Sequence, residues 1–145
     1  MTMPDVFQDF PVKAPASQVF EAISTPAGLD AWWSQSSSGQ AEEGAEYKLG
    51  FGSGYEWIAR VSRCIPGAEF EFELTKADED WQGTRVGFFL QESNGVTQVR
   101  FHHTGWPGAN EHYRVSCHCW ALYLRLLRRY VEHAEVVEYE DRLDA

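Results

Sequence analysis

Residues 111–133 read EHYRVSCHCWALYLRLLRRYVEH, and the spacing of their apolar side chains decides how the rest of the chain is arranged. Tyr113, Cys117, Trp120, Leu124, Leu127 and Val131 recur at three- and four-residue intervals, which places them on one face of a helix. At a rise of ~1.5 Å per residue, Glu111 to His133 is long enough to cover a whole sheet, and no other segment is.

The surface it must cover lies upstream. Five segments alternate with period 2: Ala45–Phe51, Tyr55–Cys64, Ala68–Thr75, Thr84–Gln91 and Val96–Thr104. Turn material separates them: Gly52-Ser53-Gly54, Pro66-Gly67, an acidic stretch to Gly83, and Ser93-Asn94-Gly95. Connections this short imply an antiparallel meander. Tyr47, Leu49 and Phe51, then Tyr55, Trp57, Ala59 and Val61, share one face with Phe70, Phe72 and Leu74. Val86, Phe88 and Leu90, and Thr97, Val99, Phe101 and His103, continue it. Lys48, Arg60, Glu69, Glu71, Glu73, Gln98, Arg100 and His102 take the other, which is expected to face water.

Ahead of the meander, Val6–Val12 reads as a first strand. A helix opening at Ala14-Pro15-Ala16-Ser17 carries Val19, Phe20 and Ile23 on one face. Thr25-Pro26 starts a second short helix, a capping hydroxyl followed by a proline suited to the first helical position, with Leu29, Trp32 and Trp33 on its face. The stretch SQSSSGQAEEG, Ser34 to Gly44, reads as a solvated loop. After the long helix, AEVVEYEDRLDA at 134–145 reads as an acidic, solvated tail. One domain over residues 3–133 is the expectation.

Composition bounds the function. A net charge of -10 argues against nucleic acid and anionic membranes as partners. The N-terminal MTMPDVFQDF lacks a basic flank and an apolar run, and no stretch reaches the roughly 18 apolar residues of a membrane span, so a cytoplasmic location is expected. Cys64, Cys117 and Cys119 fit free thiols better than a disulfide framework.

His102 to Trp120, HHTGWPGANEHYRVSCHCW, concentrates histidine and cysteine and invites a metal or catalytic reading. The spacing is wrong for a metal: Cys117 and Cys119 lie about 200° apart around a helix, and His102 and His103 point to opposite faces of a strand. No pattern calls for a cofactor. His103 and Cys117 both face the interior, but a buried cysteine is usually a small hydrophobe, and no third group orients the pair. His103 remains open between a core histidine, a ligand-binding group and an acid–base group.

The order strand, two short helices, antiparallel strands, long helix resembles the α+β helix-grip fold of the START-like or SRPBCC superfamily. That resemblance implies a curved antiparallel sheet of about six strands wrapped around a C-terminal helix, with a cavity between them. PASQVFEAIS, TPAGLDAWW, HTGWP and CWALYLRLLRRYVE are similar to the bacterial branch named for homology to the C-terminal domain of the activator of the heat-shock-protein-90 ATPase. Where that family commonly has Gly before the helix tryptophan, this chain has Cys119.

Three functional readings follow. The first is a binding module for an apolar or aromatic small molecule between sheet and helix, its mouth near Trp32, Trp33 and the Gly105–Gly108 turn. Trp57, Phe72, Phe88, Phe101, Trp106, Cys117 and Trp120 would line it, with His103, Tyr55 and Tyr113 as polar groups. The second is a chaperone-directed interaction protein, weakened because the eukaryotic namesakes also use a separate N-terminal domain. The third is a cyclase- or hydrolase-type enzyme, weakened because the inward face offers no evident buried carboxylate. No catalytic residue is assigned.

Overall fold

The computed structural model describes residues 4–52 and 55–145. Residue 3, the expected start of the domain, and Ser53 and Gly54 of the expected turn lie outside the described residues. The elements run β1 (Val6–Val12), α1 (Ala16–Ser24), α2 (Pro26–Trp32), β2 (Ser36–Ser38), β3 (Glu46–Gly50), β4 (Glu56–Ile65), β5 (Glu69–Lys76), β6 (Arg85–Ser93), β7 (Val96–Thr104) and α3 (Glu111–His133). A short 3-10 helix, Tyr139–Asp144, ends the chain.

The strands form one antiparallel sheet in the order β1-β7-β6-β5-β4-β3-β2. It is the helix-grip meander, with β1 closing on β7 from Val6 opposite His103 to Val12 opposite Thr97. The β6–β7 hairpin turns on Asn94-Gly95, both at positive φ (54° and 78°), the pairing of signs that a two-residue turn needs to match strand twist. Irregularities between Ile58 and Ala59 and between Val61 and Arg63 bend β4.

Local chemistry sets the helix starts. Thr25 caps α2 by accepting from the Gly28 N–H at 3.0 Å, with Pro26 next in line. Gly28 is required by packing, because a Cβ there would sit 2.6 Å from the Glu21 carbonyl oxygen of α1. Asn110 caps α3 through the Tyr113 N–H at 2.9 Å, and Ala134 ends it in the left-handed region.

Two expectations need correction. The sheet has a seventh strand, because Ser36–Ser38 within the expected loop pairs with Gly50–Lys48 of β3. Gly50 leaves the space for it, since a Cβ would meet Ser36 Oγ at 2.8 Å. The acidic tail is not simply solvated. Arg142 is buried and donates to the carbonyls of Val137 (3.0 Å), Ser34 (3.0 Å) and Asp30 (2.6 Å), pinning the tail to the end of α2.

The inward alternation holds from Tyr47 through His103 except at Tyr55, which precedes β4 and is exposed, and Trp120, Leu124 and Leu127 of α3 are buried against it. Trp120 meets Phe101 with ring centroids 4.6 Å apart. On the opposite face Glu71 and His102 are not in open water. Each pairs in register with Gly87 of β6, and over that glycine His102 Nε2 lies 2.6 Å from Glu71 Oε2. Ser62 Oγ donates to the other carboxylate oxygen at 2.7 Å. Burial pushes the Glu71 carboxyl up, but the hydrogen bonds from His102 and Ser62 and the charges of His102 and Arg85 hold it below its ordinary value.

Candidate functional site

A cleft of about 210 Å³ opens between the first half of α3, the β3–β4 region and the C-terminal 3-10 helix. One ridge of α3 supplies a wall: His112, Val115, Ser116, Cys119 and Tyr123, spaced as neighbours on a helix surface. Facing it are Phe51, Trp57 and Trp81, with Trp33 and Trp120 in the floor and Tyr139 from the tail. The rings touch in series. Trp33 lies 5.3 Å from Trp120, Trp120 stacks on Trp81 at 5.6 Å and 19°, Trp81 meets Trp57 at 5.0 Å, and Trp57 meets Phe51 at 4.7 Å.

Of the residues the sequence nominated, Trp33, Trp57 and Trp120 line this cleft. Trp32 is fully buried behind Trp33 and donates its indole N–H to the Ala22 carbonyl at 2.9 Å. Phe72, Phe88 and Phe101 are core residues. Cys117 is half-buried against the core, and Cys119, two residues on, is the thiol that reaches the cleft. Tyr55 is 56% exposed just before β4. Tyr113 ties α3 to the chain ahead of β1, its hydroxyl donating to the Asp5 carbonyl at 2.9 Å. The cleft does not open at the Gly105–Gly108 turn, because Trp106 of that turn is fully buried and packs on His103 and Trp81 at 4.8 and 6.0 Å. Its indole N–H has no hydrogen-bond partner among the described residues.

His103 lies beneath the cleft floor with both ring nitrogens engaged. Trp120 Nε1 is 3.0 Å from Nδ1, and Thr84 Oγ1 is 2.8 Å from Nε2. An indole N–H can only donate, so Nδ1 accepts and Nε2 carries the proton. Thr84 in turn donates to the Trp81 carbonyl. Burial above all, with the nearby His102 and His112, pushes the His103 pKa down to about 3. The imidazole is a neutral, saturated strut, so the core-histidine reading is the one this geometry supports.

Trp81 is a residue the sequence reading missed. It sits in the acidic connection between β5 and β6, yet is buried and donates to Ser116 Oγ at 3.3 Å. Its neighbour Asp80 is not merely solvated, because Oδ2 lies 3.1 Å from His112 Nδ1. The spacing 112, 115, 116, 119, 123 marks a second helical ridge beside the buried stripe, and it is the signal that finds this wall. Two polar groups inside are held protonated by burial, which pushes the Tyr123 hydroxyl up to about 12 and raises the Cys119 thiol. A thiol so placed is a poor nucleophile. Among the described residues no three His, Cys, Asp or Glu side chains converge as metal ligands would, and no helix is long and apolar enough to cross a membrane.

The site is a cleft lined by aromatic rings, and solved structures share the scaffold that carries it. The chain is similar to the solution structure of the Aha1 dimer from Colwellia psychrerythraea, with 26% identity and a TM-score of 0.82 over 92% of this chain and 99% of that one. It is also similar to the solution structure of a Bacillus halodurans protein, with 25% identity and a TM-score of 0.76 over 91% and 100% of the two chains. A Mesorhizobium loti protein at 15% identity and a TM-score of 0.79, covering 92% and 100%, shares the fold. Among curated proteins no sequence match reaches significance. Residues 13–132 match the family described as Activator of Hsp90 ATPase homolog 1-like protein, and the chain belongs to that family.

Proposed function

We propose that this protein is a binding module that holds a flat, apolar molecule of one or two rings in the cleft between α3, β4 and the C-terminal 3-10 helix. The observation that carries this reading is the continuous lining of Trp33, Trp57, Trp81 and Trp120 around open space. Trp33, Trp81 and Trp120 form a buried floor, and the partly exposed rings of Phe51, Trp57, Tyr123 and Tyr139 frame the opening above it. A volume of about 210 Å³ falls below the ~300 Å³ lower bound of drug-sized pockets, which favours a small aromatic over a long acyl chain. Calorimetric titration with naphthalene, alongside thermal melting, tests it. Binding that saturates at one site and raises the melting temperature supports the reading; no heat and no shift up to the solubility limit overturns it.

A second reading is favoured by the family match itself, a contact with a chaperone of the heat-shock-protein-90 class. An ATPase assay with that chaperone from the same source distinguishes the two, since stimulation at equimolar ratio would make the interaction primary.

A further inference from the structure

We infer that the cleft selects a hydroxylated aromatic molecule, a neutral phenol of naphthol size whose O–H donates to Nε2 of His112. This rests on the cleft being a ligand site. His112 stands in its wall, its ring parallel to Trp81 (6.3 Å, 23°) and edge-on to Trp106 (5.6 Å). Asp80 Oδ2 lies 3.1 Å from Nδ1. A carboxylate only accepts, so Asp80 fixes a proton on Nδ1, and in that Nδ1–H tautomer Nε2 is the acceptor. Among the described residues nothing bonds to Nε2, and the side chain is 37% exposed, so the lone pair is open to a ligand. The residue is thus oriented by Asp80 on one side and exposed on the other.

Charge narrows the ligand class. The neighbours Ser116, Cys119 and Tyr123 are uncharged groups, two of them held protonated by burial. Behind His112 stands the acidic run Asp78-Glu79-Asp80, in a chain of net charge -10. An aromatic carboxylate would meet that negative field, whereas a phenol brings a donor and no charge. Against an unsubstituted ring, which leaves Nε2 facing carbon, one added hydrogen bond is expected to tighten binding about fivefold to tenfold.

Calorimetric titration at neutral pH with naphthalene, 2-naphthol and 2-naphthoate tests the inference on the full chain and on His112→Phe and His112→Ala. The first variant keeps a ring against Trp81, and the second guards against any gain from the added apolar surface. The expected result is 2-naphthol tightest, 2-naphthoate weaker than 2-naphthol, and a naphthol-to-naphthalene ratio that falls to within about twofold in both variants. Equal affinities for naphthol and naphthalene, a preference for the naphthoate, or a ratio unchanged in the variants overturns the inference while leaving the cleft reading in place. Failure of all three probes to bind overturns both.

Discussion

The indole N–H of Trp120 donates to Nδ1 of His103 across 3.0 Å, joining the covering helix to strand β7 beneath the cleft floor. The bond requires a neutral imidazole, and burial enforces it by holding the pKa near 3 against an ordinary 6.5. Between those values the unfolded chain takes up a proton that the folded chain refuses. Stability therefore falls as pH drops below 6.5, and by pH 5 the loss is about 2 kcal/mol. Denaturant unfolding at pH 7 and pH 5 should show His103→Gln, though less stable at pH 7, losing less between the two pH values than the parent.

Trp120→Ala removes a buried ring and strands the His103 acceptor, and is expected to cost about 3–5 kcal/mol. The sequence alone would place Trp33 at a solvent-exposed mouth and make its truncation mild. In the structure Trp33 is only 3% exposed and is enclosed by Trp32, Phe51 and Trp120, so Trp33→Ala is expected to cost a similar amount. Urea denaturation of both variants measures this, and a near-neutral Trp33→Ala would contradict the packing described.

What could be read from the sequence was whatever repeats along it. The alternation of Tyr47 to His103 and the stripe from Trp120 to Leu127 are periodic, so sheet, helix and their mutual burial followed. Ser36–Ser38 has no alternation and becomes a strand only through its partner β3. Trp81 and Tyr139 lie among acidic residues, where charge outweighs a lone ring in any local reading, and they join the cleft by contacts distant in sequence. The meeting of Glu71 and His102 needed the register that aligns both with Gly87, a property of two strand pairings at once.

That register makes Gly87 sensitive. A Cβ at this position would lie 2.5 Å from His102 Cε1 and 3.0 Å from Glu71 Cβ, forcing the pair apart. Gly87→Ala is expected to destabilise by about 1–3 kcal/mol. In a His102→Ala background the same change should cost much less, because the obstructing ring is gone. Additive costs in the double-mutant cycle would contradict this account.

The end of the tail is anchored by the Arg142 guanidinium. Arg142→Ala leaves the Asp30 and Ser34 carbonyls without their donor and is expected to cost about 1–3 kcal/mol. Lysine should restore little, since a single ammonium cannot span carbonyls that a planar fork reaches together. Hydrogen exchange should show residues 135–145 losing protection in both variants while α3 retains its own. Unchanged protection of the tail would mean that Arg142 does not pin it.

The central claim is that a flat apolar molecule occupies the space bounded by four of the indoles. Nitrogen-15 correlation spectra of the indole N–H groups during titration with naphthalene observe that space ring by ring. The resonances of Trp33, Trp57, Trp81 and Trp120 should move together and saturate. Those of Trp32, bonded to Ala22, and Trp106, sealed behind His103, should move least. No movement at saturating naphthalene, or movement confined to Trp32 and Trp106, would contradict the account.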